Sequence, residues 1–131
     1  MVSDSVGDFI IQLKNAGNAK KPRVSLPYSK LRHAIADKLV EAGYVEDVQQ
    51  NGKLSTATLE LSIKYRQDGK PVINGVKRLS KPGRRLYTKS SSIYQVKYGH
   101  GHLLLSTPAG ILTGEEAKKQ NVGGEQLFII W

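Results

Sequence analysis

Two short polar clusters near the end of the chain carry the residue types best suited to chemistry. They are Ser106-Thr107-Pro108-Ala109-Gly110 and Val122-Gly123-Gly124-Glu125, each set between strongly apolar runs. A hydroxyl both donates and accepts, so Ser106 and Thr107 can meet a base edge, a phosphate oxygen or a ribose 2′-OH. Gly123 and Gly124 leave their amides unshielded and let another backbone come close. The same residues also make ordinary structure, since Gly-Gly after a helix is a usual stop and Ser-Thr-Pro a usual loop.

Two other chemistries compete for the same part of the chain. His100 and His102, spaced i and i+2, could share one face of a strand and ligate a metal, but the chain has no cysteine and no acid between Asp68 and Glu115. Only distant residues could complete such a site, and we expect neither metal nor cofactor. A His and a Glu can also act as acid and base on a phosphodiester, with His102 and Glu125 the candidate pair. Against this RNA-cleaving alternative, the chain has no nucleophile elbow, no phosphate-cradling glycine loop with lysine and no clustered carboxylates. We therefore expect no enzyme.

The charge pattern favours binding. Net charge over the 131 residues is +9. Up to Tyr65 there are nine Lys/Arg against seven Asp/Glu; from Arg66 onward there are eleven against four. The acid-free stretch between Asp68 and Glu115 holds Lys70, Lys77, Arg78, Lys81, Arg84, Arg85, Lys89 and Lys97. Such a one-signed field suits a polyanion, whereas a membrane surface would call for a basic amphipathic helix. The absence of cysteine fits a reducing compartment. MVSDSVGDFIIQLK lacks a signal pattern, no apolar run approaches ~20 residues, and we read the chain as cytoplasmic.

The elements that position these residues follow from periodicity. Ser3 or Asp4 can cap a helix with the stripe Val6, Phe9, Ile10, Leu13, ending near Gly17. VSLPY, residues 24 to 28, reads as a strand, and Ser29 caps a second helix with Leu31, Ala34, Ile35, Leu39 and Ala42 inward, stopped by Gly43. Asn51-Gly52 signals a type I′ hairpin into a strand where Leu59, Leu61, Ile63 and Tyr65 alternate with polar residues. RQDGKP, residues 66 to 71, combines turn formers with charge, so we expect an N-terminal domain over 1–65, a linker over 66–71 and a β-rich domain over 72–131. In the second domain, VINGVKRLS and RRLYTK flank Lys81-Pro82-Gly83-Arg84, expected as a hairpin closed by a type II turn and displaying basic side chains. HLLLS and EQLFIIW read as central strands covered on both faces, and TGEE as a capping box for a short helix ending near Asn121. The fold class is α+β, and the polar clusters fall at strand and helix ends.

Four blocks, in order, resemble the small-subunit ribosomal protein eight family over essentially the whole chain: DSVGDFIIQLKNAG, VSLPYSKLRHAIADKLVEAGYV, KRLSKPGRRLYTK and LSTPAGILTGEEAKKQNVGGEQLFIIW. The resemblance implies a two-domain protein that binds an irregular stem in the central domain of small-subunit ribosomal RNA. It implies RNA contact by Ser106 and Thr107, with Gly123, Gly124 and Glu125 beside them and Tyr87 on the same surface. Lys81, Arg84 and Arg85 are candidate RNA-binding cations, Arg84, Arg85 and Lys97 being the ones available for phosphate, and Lys30 and Arg32 are implied backbone contacts from the N-terminal domain. Neighbouring ribosomal proteins, and in many bacteria the protein's own messenger, are implied as further partners. Pro108-Ala109 stands where the family commonly has Ser-Lys, removing a hydroxyl, a cation and an amide donor. KYGHGH, residues 97 to 102, departs from the usual Asn-Gly-Leu-Gly. A third reading is a basic module that binds nucleic acid or protein without selectivity.

Overall fold

A computed structural model describes residues 5–53, 56–94, 96 and 100–131. Among them lie three α-helices and two antiparallel sheets, an α+β architecture in two compact units. One unit comprises 8–73; the other comprises 74–131 together with 5–7. The candidate caps Ser3 and Asp4 lie outside the described residues.

α1 (Ser5–Asn18), which belongs to the N-terminal unit from Asp8 onward, buries Phe9, Ile10 and Leu13 of its apolar stripe. A strand, β1 (Arg23–Pro27), leads into α2 (Lys30–Glu41), whose N-cap Ser29 accepts through Oγ from the Arg32 amide at 3.0 Å. Its buried stripe is Ile35, Ala36 and Leu39; Leu31, expected inward, is exposed because it sits in the first turn, ahead of that stripe. The sheet adds β2 (Val45–Asn51) and β3 (Thr58–Ile63) in the order β1-β3-β2, and Leu59, Leu61 and Ile63 are buried as their alternation predicts. Burial pushes the Tyr44 phenol up from its ordinary pKa.

The Asn51-Gly52 turn is not type I′. Asn51 stays in the ladder opposite Thr58, its side-chain amide donating to Glu60 Oε2 at 3.0 Å, and of the two only Gly52 takes a positive φ (83°). The connection therefore runs from 52 to 57, longer than the two-residue loop a type I′ turn requires. Residues 66–71 form a tight turn: Tyr65 bridges Pro71, and the Arg66 amide donates to Lys70 O at 2.8 Å. Asp68 Oδ1 accepts from the Lys70 amide, and the division between units falls after Ile73.

The C-terminal unit contains β4 (Val76–Arg78), β5 (Tyr87–Thr88), β6 (His102–Thr107), β7 (Gly110–Thr113), α3 (Gly114–Gln120) and β8 (Gly124–Ile130). Three consecutive buried leucines, 103 to 105, make β6 a strand covered on both faces. Ile93, Val96, Leu103, Leu105, Leu112 and Ala117 form the core on the helix side. The capping box is present: Thr113 Oγ1 accepts from the Glu116 amide, and Glu116 Oε1 accepts from the Thr113 amide. Asn121 closes the helix in the left-handed region, at φ 56°.

Two expectations about this unit need correction. β4 and β5 do not pair as a hairpin; both pair with β8, β4 with its end and β5 with its beginning. The Leu79 and Ser80 amides continue that ladder by donating to Leu127 O and Gln126 O. Lys81–Arg84 is thus a loop thrown out from one edge of a strand. The Lys81 and Arg84 backbones exchange two hydrogen bonds of 2.9 Å, and Gly83 lies outside the left-handed region that a type II turn requires. β7 carries little sequence signal, because only the apolar pair Ile111-Leu112 lies between its turn-forming neighbours.

Candidate nucleic-acid interface

The beginning of β8 runs between β5 and β6, and the register aligns one residue from each: Tyr87 opposite Glu125, and Glu125 opposite Ser106. Directly opposed residues in antiparallel strands share a face, so these three side chains form one row. Tyr87 is 69% exposed, an aromatic surface with no packing duty of comparable size. Among the described residues, no partner is found for the half-buried Ser106 hydroxyl. The Glu125 side chain is 16% exposed, and its Oε2 accepts from Arg85 Nη1 at 3.0 Å. Arg85 precedes Tyr87 by two residues, which places it diagonal to Glu125.

Thr107 belongs to a different structure. As the next residue along β6 it faces the opposite way, and its hydroxyl donates to Gly110 O at 2.8 Å while accepting from the Ala109 amide at 3.1 Å. It seals the Pro108-Ala109 turn, and its one donor is spent. Both glycines also have internal reasons. A Cβ on Gly124 would stand 2.2 Å from Ser106 O, and one on Gly123 would stand 2.3 Å from Thr88 O. The backbones that come close to Gly123 and Gly124 are those of β5 and β6 respectively.

Lys81 and Arg84 are exposed on the loop beside the row. Ser80, only 5% exposed, fixes that loop: its Oγ accepts from the Leu86 amide at 2.9 Å and donates to Leu86 O at 3.2 Å. Gln126 adds a bond from Nε2 to Tyr87 O at 3.4 Å. Neither residue stood out in sequence; a serine before Lys-Pro-Gly reads as a turn former, and only the topology buries it. Lys30 and Arg32 lie in the first turn of α2, in the other unit, where Arg32 Nη1 donates to Pro27 O at 3.0 Å. Lys97 lies outside the described residues.

The acid-base pair of the nuclease alternative is not assembled. His102 pairs with Ile130 at one end of β6 and Glu125 sits opposite Ser106 at the other. Four residues of strand separate them, roughly 13 Å at the usual rise. Among the described residues no group of three or more His, Asp or Glu could hold a metal. A hollow of about 100 Å³ bounded by Ile93, Leu103 and Gly114 lies near His102, away from the row. No described helix is long and apolar enough to cross a membrane.

Fold and site together define a small basic α+β protein whose outward polar row is separate from the groups that build it. A profile of the family described as ribosomal protein S8 matches residues 4–131. Small ribosomal subunit protein uS8 of Roseiflexus castenholzii is 44% identical over 131 residues, covering 99% of this chain and 98% of the relative. The uS8 protein of Brucella anthropi is 46% identical over 134 residues with the same coverage, and that of Persephonella marina 42% over 136 residues with full coverage of both. The chain belongs to the ribosomal protein S8 family. It is accordingly a structural protein and not an enzyme.

Proposed function

We propose that this chain is a structural constituent of the small ribosomal subunit in the cytoplasm and that it binds an irregular stem in the central domain of small-subunit ribosomal RNA, helping that domain assemble. The observation that carries this reading is the row Tyr87–Glu125–Ser106 beside the exposed Lys81 and Arg84. A-form RNA hides its major groove, so sequence-specific recognition favours distorted sites with splayed bases, which stack on aromatic rings and offer donors and acceptors. Tyr87 supplies the ring, Ser106 a hydroxyl, and Glu125 an acceptor for a base amino group or a 2′-OH. Thr107, Gly123 and Gly124 shape the strand ends that carry the row to the RNA. Lys81, Arg84 and Arg85 lie around the row, and Lys30 and Arg32 reach phosphates from the N-terminal unit. Neighbouring ribosomal proteins are further partners, and the same face represses the protein's own messenger through a similar stem.

Footprinting the protein on its own small-subunit RNA tests this directly. Protection of one irregular central-domain stem, retained against excess duplex DNA, is the expected result; uniform protection, or loss to duplex DNA, would reduce the chain to a non-selective basic module. If about five phosphates are neutralised, log K should fall against log salt with a slope of roughly −3.5 to −4.5.

A further inference from the structure

We infer that Arg85 is a positioning residue for Glu125 and not a phosphate contact, an inference that rests on the RNA-binding reading above. Three observations support it. Arg85 and Arg84 are adjacent in sequence and both exposed, yet Arg85 Nη1 donates to Glu125 Oε2 at 3.0 Å, whereas for the Arg84 side chain no partner is found among the described residues. The two partners differ in exposure, 55% for Arg85 and 16% for Glu125, so the arginine reaches inward over the sheet to the acid. Glu125 also sits in the middle of the row, between Tyr87 and Ser106, where an uncompensated carboxylate would repel every phosphate brought near.

The geometry divides the work. Arg85 Nη1 holds one carboxylate oxygen of Glu125 and so tethers the group at its place in the row. A carboxylate accepts only, so the held acid selects an RNA donor, a base amino or a 2′-OH, over a bare phosphate. Arg85 also cancels the charge of Glu125. Arginine presents its donors in a planar fork, which a lysine at this position would not reproduce.

The test is a double-mutant cycle of Arg85→Ala and Glu125→Gln, read as affinity for the stem RNA at several salt concentrations, with Arg84→Ala alongside. A positioning role predicts that Arg85→Ala weakens binding about ten- to a hundredfold, and that once Glu125 is Gln it changes neither the affinity nor the salt slope. Arg84→Ala should instead flatten the slope by roughly 0.7 to 0.9. The inference is overturned if, in the Glu125→Gln background, Arg85→Ala flattens the slope as Arg84→Ala does, or if its effect on affinity persists undiminished there. If Arg85→Ala unfolds, Arg85→Lys takes its place under the same criteria. Failure of the wild-type chain to select the stem at all would sink the RNA-binding reading itself, an outcome distinct from a changed slope.

Discussion

Ser106 and Thr107 are neighbours on one strand end, alike in chemistry, and the fold gives them opposite duties. The Thr107 hydroxyl donates to Gly110 O and accepts from the Ala109 amide, so it belongs to the turn. Ser106 faces the other way, in line with Glu125 and Tyr87. The same division separates Ser80, clamped on both sides of Leu86, from Lys81 and Arg84 on the loop it holds. A candidate site of this type is two populations: groups whose hydrogen bonds are satisfied inside the protein, and groups left to meet a partner. Substitutions in the first should change stability, and substitutions in the second should change binding.

The sharpest way to break that division is at Gly124. A Cβ there would stand 2.2 Å from Ser106 O and 3.0 Å from Thr107 Cγ2, so Gly124→Val should force β8 away from β6. We expect a loss of about 3 kcal/mol or more in the C-terminal unit, read by chemical denaturation. A variant as stable as wild type that had lost only RNA affinity would place Gly124 with the outward groups instead. Ser80→Ala comes next. It leaves the Leu86 amide without its partner in a buried setting, and we expect destabilisation of roughly 1–3 kcal/mol, with RNA binding lowered only through the loosened loop.

The adjacent hydroxyls sharpen the comparison. Thr107→Val keeps the shape and removes the turn bonds, at about 1 kcal/mol of stability. Ser106→Ala should leave the melting curve within about 0.5 kcal/mol of wild type while weakening the stem complex roughly tenfold. Equal effects of both variants on both measurements would dissolve the distinction. The smallest effect belongs to Lys81→Ala, which should leave stability unchanged, weaken all RNAs about equally and flatten the salt slope by roughly 0.7 to 0.9.

Local signals in the sequence located most elements. The alternation of Leu59, Leu61 and Ile63, the Ser29 cap and the Thr113/Glu116 box each depend on residues within a few positions, and each is formed. What escaped depends on long-range register. Nothing near Lys81 announces that β4 and β5 share β8 as a partner, because that choice is made by residues some 50 positions away. The Asn51-Gly52 turn failed because the Asn51 amide is engaged by Glu60 across the sheet. The candidate site was legible as a set of residue types. The row itself, and the ion pair across 40 positions between Arg85 and Glu125, required the register of three strands.

The central claim is that a side-chain row at the ends of β5, β8 and β6 meets RNA while the residues beneath it only hold it there. Measuring stem affinity and melting temperature together for Ser106→Ala and Thr107→Val tests it most directly. The account predicts lost affinity at unchanged melting for Ser106→Ala, and lowered melting with affinity largely kept for Thr107→Val. Wild-type affinity in a fully folded Ser106→Ala protein would contradict it.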